Sequence, residues 1–237
     1  MTPTGGQLVL AMETSNPSSW TPAAPVMPGV CLGRVTASGV EVLAVEPVDP
    51  RERDDHLMPA IDRTFRTLGA RPQDLGTIAV SAGPGGFTAV RIAVTTAKVL
   101  AHATGAMVIA VPSAAVAARA VRDDGRPFAV VLASKGEDAF VSVFDGPGVP
   151  RGPGVVLEAA ALADLGVHRL IADGFLPPSF VSWARDAGVL VESPVFDPLA
   201  CLAASVGLPT VDPLALTPIY PREPEAVRKW RLLHPKG

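Results

Sequence analysis

Residues 81–105 read "SAGPGGFTAVRIAVTTAKVLAHATG", and this stretch decides the fold. A glycine-rich turn runs directly into an uninterrupted helical pattern. Such a layout feeds backbone N–H groups into a helix N-terminus, where unpaired donors and the helix dipole attract an anion. It serves equally as a tight strand-to-helix connection whose glycines supply positive φ angles. The Gly-Lys-Ser/Thr ending of a P-loop does not follow. Both uses therefore stay open for Gly83, Gly85 and Gly86. The helical part carries Ala89, Ala93, Ala97 and Ala101, a small residue at every fourth position. Residues four apart advance about 400° around an α-helix, so these alanines form a shallow, spiralling groove. Val90 and Val94 line one side, Ile92 and Leu100 the other. The groove can receive a second helix at close range or pack on the chain's own sheet. Arg91, in the first turn, is placed to meet an anion, a partner carboxylate or solvent.

The flanking segments alternate. "QLVLAM" (7–12) is a short apolar run ending at the polar turn "ETSN", which reads as a buried strand. "VCLGRV" (30–35) and "VEVLAV" (40–45) are β-branched runs separated by a turn, a hairpin pattern. Between them and the first strand lies a proline-rich insertion from Pro17 to Pro28, long for a hairpin loop. "HLMPAIDRTFRTLG" then places Leu57, Ile61, Phe65 and Leu68 on one helical face. "TIAVS" (77–81) and "MVIAV" (107–111) are strands on either side of the opening helix. The second half partly echoes the first. Strands "FAVVLAS" and "AFVSVFD" are joined by "KGED"; "LEAAALADL", "RLIAD", "FVSWARDAG" and "LACLAASVG" follow as helical and strand segments. Mixed sheets flanked by helices in two related halves are the economical reading.

Composition excludes several classes. The chain has 237 residues, 48% hydrophobic and only 18% charged, enough to bury a substantial core. A net charge of −3 leaves no footprint for independent nucleic-acid binding. The two cysteines, Cys31 and Cys201, each sit in an apolar run, which fits buried thiols in a reducing cytosol. No apolar run approaches membrane-spanning length, so a soluble cytoplasmic protein is expected. The four histidines, His56, His102, His168 and His234, lack metal-ligand spacing, and no Cys-x-x-Cys occurs. No Gly-x-Ser-x-Gly elbow is present either. No catalytic residue and no metal ligand is therefore assigned.

The same residues carry a family resemblance. "SAGPGGFTAVRIAVTTAKVLA" resembles the Gly-Pro-Gly-Ser-Phe-Thr-Gly-Val-Arg segment of the bacterial TsaB (YeaZ-like) family. "LVLAMETS" is similar to its first strand and turn, "LMPAIDRTF" to its Leu-Leu-Pro helix, and "PIYPREPEA" to its closing Pro-x-Tyr-Leu-Arg segment. The resemblance implies an α/β fold of the actin/Hsp70/sugar-kinase (ASKHA) kind, with two RNase-H-like subdomains. It divides the chain at 1–112 and 113–212, with 213–237 packing back on the first half. It implies a non-catalytic partner of the transferase TsaD in threonylcarbamoyladenosine modification of tRNAs that read codons beginning with adenosine. The ATPase TsaE would join them. ATP and metal would reside on those partner proteins, and tRNA would be met only through the complex. The pairing surface it implies comprises Leu57, Ile61, Phe65, Ala89, Val90, Arg91, Ala93, Val94, Ala97 and Ala101. A homodimer is the other use of that surface.

The chain also departs from the family pattern. Glu13 stands where the family has Asp, ahead of Thr14 and Ser15. Leu132-Ala133-Ser134 replaces Asp-Ala-Arg, Ala89 replaces a glycine, and Asp54-Asp55-His56 directly precedes Leu57. A degenerate anion or nucleotide site at Glu13, Thr14, Ser15, Gly83, Gly85 and Gly86 is the expectation. Two alternatives are an acetate- or sugar-kinase-like phosphotransferase, which Leu132 opposes, and a diverged paralogue with a different partner. A peptidase reading lacks a nucleophile–base pair.

Overall fold

The computed structural model describes residues 7–21, 26–36, 39–49, 56–222 and 225–234. Strand β1 (Leu8–Glu13) is buried along its whole length because helices cover both faces of its sheet. Its period-2 alternation sends Leu8, Leu10 and Met12 to one core, and Val9 and Ala11 to the other. β2 (Gly29–Thr36) pairs antiparallel with β1, Leu10 opposite Leu32, and β3 (Gly39–Pro47) completes the hairpin. β4 (Leu75–Gly83) and β5 (Met107–Pro112) add in parallel, giving the order β3-β2-β1-β4-β5. Helices α1 (Leu57–Leu68) and α2 (Phe87–Thr104) cover one face.

The second sheet repeats this plan. β6 (Phe128–Lys135) and β7 (Asp138–Gly146) form an antiparallel pair. β8 (Val149–Pro150) and β9 (Val155–Glu158) lie beyond β7, and β10 (Arg169–Ala172) and β11 (Leu190–Glu192) add in parallel beyond β6. Each sheet is thus an antiparallel set followed by two parallel strands. This is the two-subdomain ASKHA-like plan. A 3-10 helix at Ala159–Leu165 and α4 (Pro178–Asp186) cover the outer face. Leu157 and Glu158, which open the segment read as "LEAAALADL", finish β9.

Helix α3 (Ser113–Arg119), which periodicity did not reveal, lies between the halves. Its Ala114, Ala117 and Ala118 pack on Phe128, Val130 and Leu132 of the second sheet, while Val116 joins the first-half core. Leu132 is fully buried there. Helix α5 (Pro198–Ser205) lies on the far face of the first sheet, with Cys201 Sγ 3.6 Å from the Met12 carbonyl. The chain therefore returns to the first half by Pro198, earlier than the division at 212 anticipated. The reason is that the second apolar face of β1, Val9 and Ala11, is covered by α5. Cys31 and Cys201 are both buried and free.

The alanine groove is also redirected. Ala93 and Ala97 are fully buried, and Val90, Val94 and Ala101 nearly so, all against the chain's own first sheet. Leu57, Ile61 and Phe65 share that core from α1. These eight residues belong to the protomer interior and are unavailable to a partner helix. Only Ala89, half-buried, and Arg91, exposed, stay at the surface. Sheet packing wins because the flanking valines gain burial on a sheet already rich in Ile78, Val80 and Val108.

From Val211 onward the chain is a strap along α2. Val211 bridges Val108, and the Ile219 N–H donates to the Ala82 carbonyl at 2.7 Å. Lys98 Nζ donates to the carbonyls of Leu214 and Leu216, at 3.1 and 3.2 Å, and Leu216 is buried. Arg222 then crosses to the second half, bonding the Ala133 carbonyl and Asp138. Helix α6 (Glu225–Leu233) is different. Trp230 is 63% exposed and stacks on His234, so among the described side chains docking is carried by the strap. The Arg228 side chain lies outside the described residues.

Two outcomes follow from this packing. Ala97→Leu overfills the α2–sheet contact and should cost about 1–3 kcal/mol, read as a lowered urea midpoint. Val99→Leu on the exposed side should change it by less than about 0.5 kcal/mol; equal effects would place the stripe outside the core. A chain ending at Pro218 should melt several degrees lower than the parent, and one ending at Arg222 should not.

Candidate functional site

The glycine turn and the loop after β1 meet at the carboxyl ends of their strands. Gly83 has φ +109° and Gly85 lies so close to the loop that a Cβ there would run into the Ser15 carbonyl oxygen. Both positions need glycine, one for conformation and one for approach. The Gly86 N–H, at the start of α2, donates to that Ser15 carbonyl at 2.8 Å. Asn16 Nδ2 donates to the Pro84 carbonyl at 3.3 Å. The structure thus brings Glu13, Ser15, Gly83, Gly85 and Gly86 together, with Thr14 half-buried beside them. The turn's donor serves the loop carbonyl, so the tight-connection use of these glycines is realised.

Glu13 points inward. Its Oε1 accepts from the Ser15 backbone N–H at 2.8 Å and the Ser15 hydroxyl at 2.7 Å. Ser113 Oγ donates to Ser15 Oγ at 2.9 Å, and Ser81 Oγ lies 2.9 Å from Ser113 Oγ. Asn16 Nδ2 completes the cluster at 2.8 Å from Ser15 Oγ. Oε2 finds no donor. Burial raises the Glu13 carboxyl above the usual carboxylate range, and the Ser15 and Ser81 hydroxyls oppose that rise. The nearby Asp197 carboxyl is raised too, again mainly by burial. Burial also pushes the Cys31 thiol up to about 12, and Cys201 is raised well above its ordinary value. An added methylene relative to Asp lets the Glu13 carboxyl fold back onto Ser15. Ser81, Ser113 and Asn16 escaped sequence reading because only the fold joins them.

The outer side of α2 is a second arrangement. Phe87, 59% exposed, lies 5.9 Å from the Tyr220 ring, centroid to centroid. The Arg91 guanidinium sits 3.9 Å over the Phe87 ring centroid, and its Nε donates to Tyr220 Oη at 3.0 Å. Val99, farther along α2, is 62% exposed, and Met58 of α1 is exposed as well. Asp54 and Asp55, read as preceding that helix, lie outside the described residues.

Among the described residues no group of three or more His, Cys, Asp or Glu side chains is placed to hold a metal ion. His168 pairs instead with Asp124, at 2.9 Å. No helix is long and apolar enough to cross a membrane.

Comparison with known proteins agrees with this geometry. The family described as "TsaD: tRNA N6-adenosine threonylcarbamoyltransferase" matches residues 49–161. A solved protein from Pseudomonas aeruginosa, described as uncharacterized with similarity to peptidase YEAZ, superposes with a TM-score of 0.62 at 20% identity. That match covers 91% of this chain and 100% of that one. YeaZ from Pseudomonas aeruginosa gives 0.61 at 20% identity, over 90% of this chain and 99% of that one. The fold is YeaZ-like. At this identity the solved structures establish the shared fold, and the TsaD-family match spans α1, β4, α2 and β5. No curated protein matches the sequence. In this YeaZ-like chain the matched span carries both the glycine turn and the exposed α2 flank.

Glu13 gives a pH prediction. Its folded-state value lies above the ordinary 4.5, so the stability that protonation confers is complete at low pH. It is lost as pH rises through the folded value. Glu13→Gln keeps the acceptor for Ser15 and cannot ionise. Its stability relative to the parent should therefore grow between about pH 4 and about pH 8. Urea midpoints at the two ends check this, and a constant difference would show that Glu13 ionises in the fold without cost.

Proposed function

We propose that this chain is a non-catalytic partner of a TsaD-like threonylcarbamoyltransferase, acting in modification of tRNAs that read codons beginning with adenosine. The observation that carries the reading is the outer flank of α2, where Phe87 and Val99 are exposed within the span matching the TsaD family. Met58 extends that surface from α1. In this reading the partner supplies metal and transfer chemistry, and a TsaE-like ATPase supplies nucleotide turnover. This chain contributes a shaped surface and no cofactor of its own, and it reaches tRNA only through the complex. The inward-turned Glu13 and the occupied glycine turn support the absence of a nucleotide role. The pairing residues proposed are Phe87, Arg91, Val99 and Met58, with Ala89 at the margin, in place of the buried alanines. A homodimer through this face is the competing occupant when the paralogue is absent.

Val99→Glu places a charge at the centre of this flank without touching the core. It should weaken association with the TsaD-like paralogue by about tenfold or more, measured by sedimentation, with an unchanged circular dichroism spectrum. Normal binding by both Val99→Glu and Phe87→Asp would move the interface elsewhere.

A further inference from the structure

The parallel strands of both sheets end toward one crevice. β1 and β4 deliver Asn16 and the glycine turn. β6, β10 and β11 lead to Ala133, Asp173 and Pro194. In α/β sheets the crevice outside the carboxyl ends of the strands is where ligands bind. Here it contains chain. The insertion enters as a 3-10 turn, Pro17–Ser19, and leaves through Val26 and Pro28. Pro17 Cδ and Cγ lie against Gly86, within 4 Å of where a Cβ would stand. Ser19 Oγ donates to Asp173 Oδ2 at 3.3 Å, a bond from the first half to the second. Ser19, Trp20, Val26 and Pro28 face Pro194, Val195 and Phe196 across a cavity of about 20 Å³, room for roughly one water.

We propose that the described ends of the insertion, Pro17–Trp20 and Val26–Pro28, act as a strut that fills the inter-sheet crevice and fixes the angle between the two halves. Three features converge on this role. The segment touches the carboxyl ends of strands from both sheets, it bonds across the crevice, and its described ends enclose about 20 Å³ beside Pro194–Phe196. Proline suits a strut, because its fixed φ reduces the freedom lost on ordering the loop. The crevice in this chain is a structural joint, and the two halves move as one body. This inference concerns the crevice alone and stands whether or not the α2 flank binds a TsaD-like partner.

The test uses the full chain with residues 17–20 replaced by Gly-Ser-Gly-Ser. Small-angle scattering should show a larger radius of gyration. Amide hydrogen exchange in residues 173–176 and 194–197 should become faster by about tenfold or more, while the β1 and β6 amides keep their protection. Unchanged scattering and exchange would overturn the proposal. If that chain fails to fold by circular dichroism, Trp20→Gly decides the matter by the same exchange readout. Faster exchange at both crevice segments supports the strut, and parental rates refute it. A parallel measurement of association with the paralogue separates this outcome from failure of the partner reading, since Trp20 lies away from the α2 flank.

Discussion

Three alanines, Ala93, Ala97 and Ala101, let α2 lie close on its sheet, and much of the molecule follows from that approach. Close packing turns the opposite side of the helix outward, so Phe87, Arg91 and Val99 define its solvent face. It also sets Lys98 on the side of α2 that meets the strap, where the ammonium holds two strap carbonyls. The strap in turn carries Tyr220 to Arg91 and Arg222 to the second half. A larger side chain at Ala93 or Ala97 would lift the helix and disturb each of these contacts together.

The polar interior near the glycine turn works by a different economy. Buried hydroxyls of Ser15, Ser81 and Ser113 satisfy one another and one oxygen of Glu13, in a place where water would otherwise be needed. Since Ser113 opens α3, and α3 packs on both sheets, this cluster sits at the junction of the halves. A carboxyl turned inward to serve such a cluster is lost to the crevice. In the proposed reading, the glutamate at position 13 and the described ends of the proline-rich insertion act in the same direction, toward holding the chain together at the crevice.

In the proposed reading the crevice holds the chain together and the exposed surface carries the function. The apolar side chains exposed by α1 and α2 stand over the sheet most firmly built, with Glu13, Leu10, Met12, Val30 and Ile78 fully buried beneath. A rigid support lowers the ordering cost of association, which favours a partner-presenting role.

The sequence by itself determined the element order of the first half, the doubled α/β plan and the buried thiols. These depend on local periodicity and on motifs of adjacent residues, which require no partner from elsewhere in the chain. It could not choose between the two uses of the alanine groove, because a stripe of small residues fits a sheet and a helix equally well. Tertiary structure made that choice, since β4 and β5 offered apolar area at once. The exposed flank, the serine cluster and the Ser19–Asp173 bond were likewise illegible. Ser81 and Ser113 are 32 positions apart and Ser19 and Asp173 are 154 apart; only chain folding brings such groups within hydrogen-bond reach.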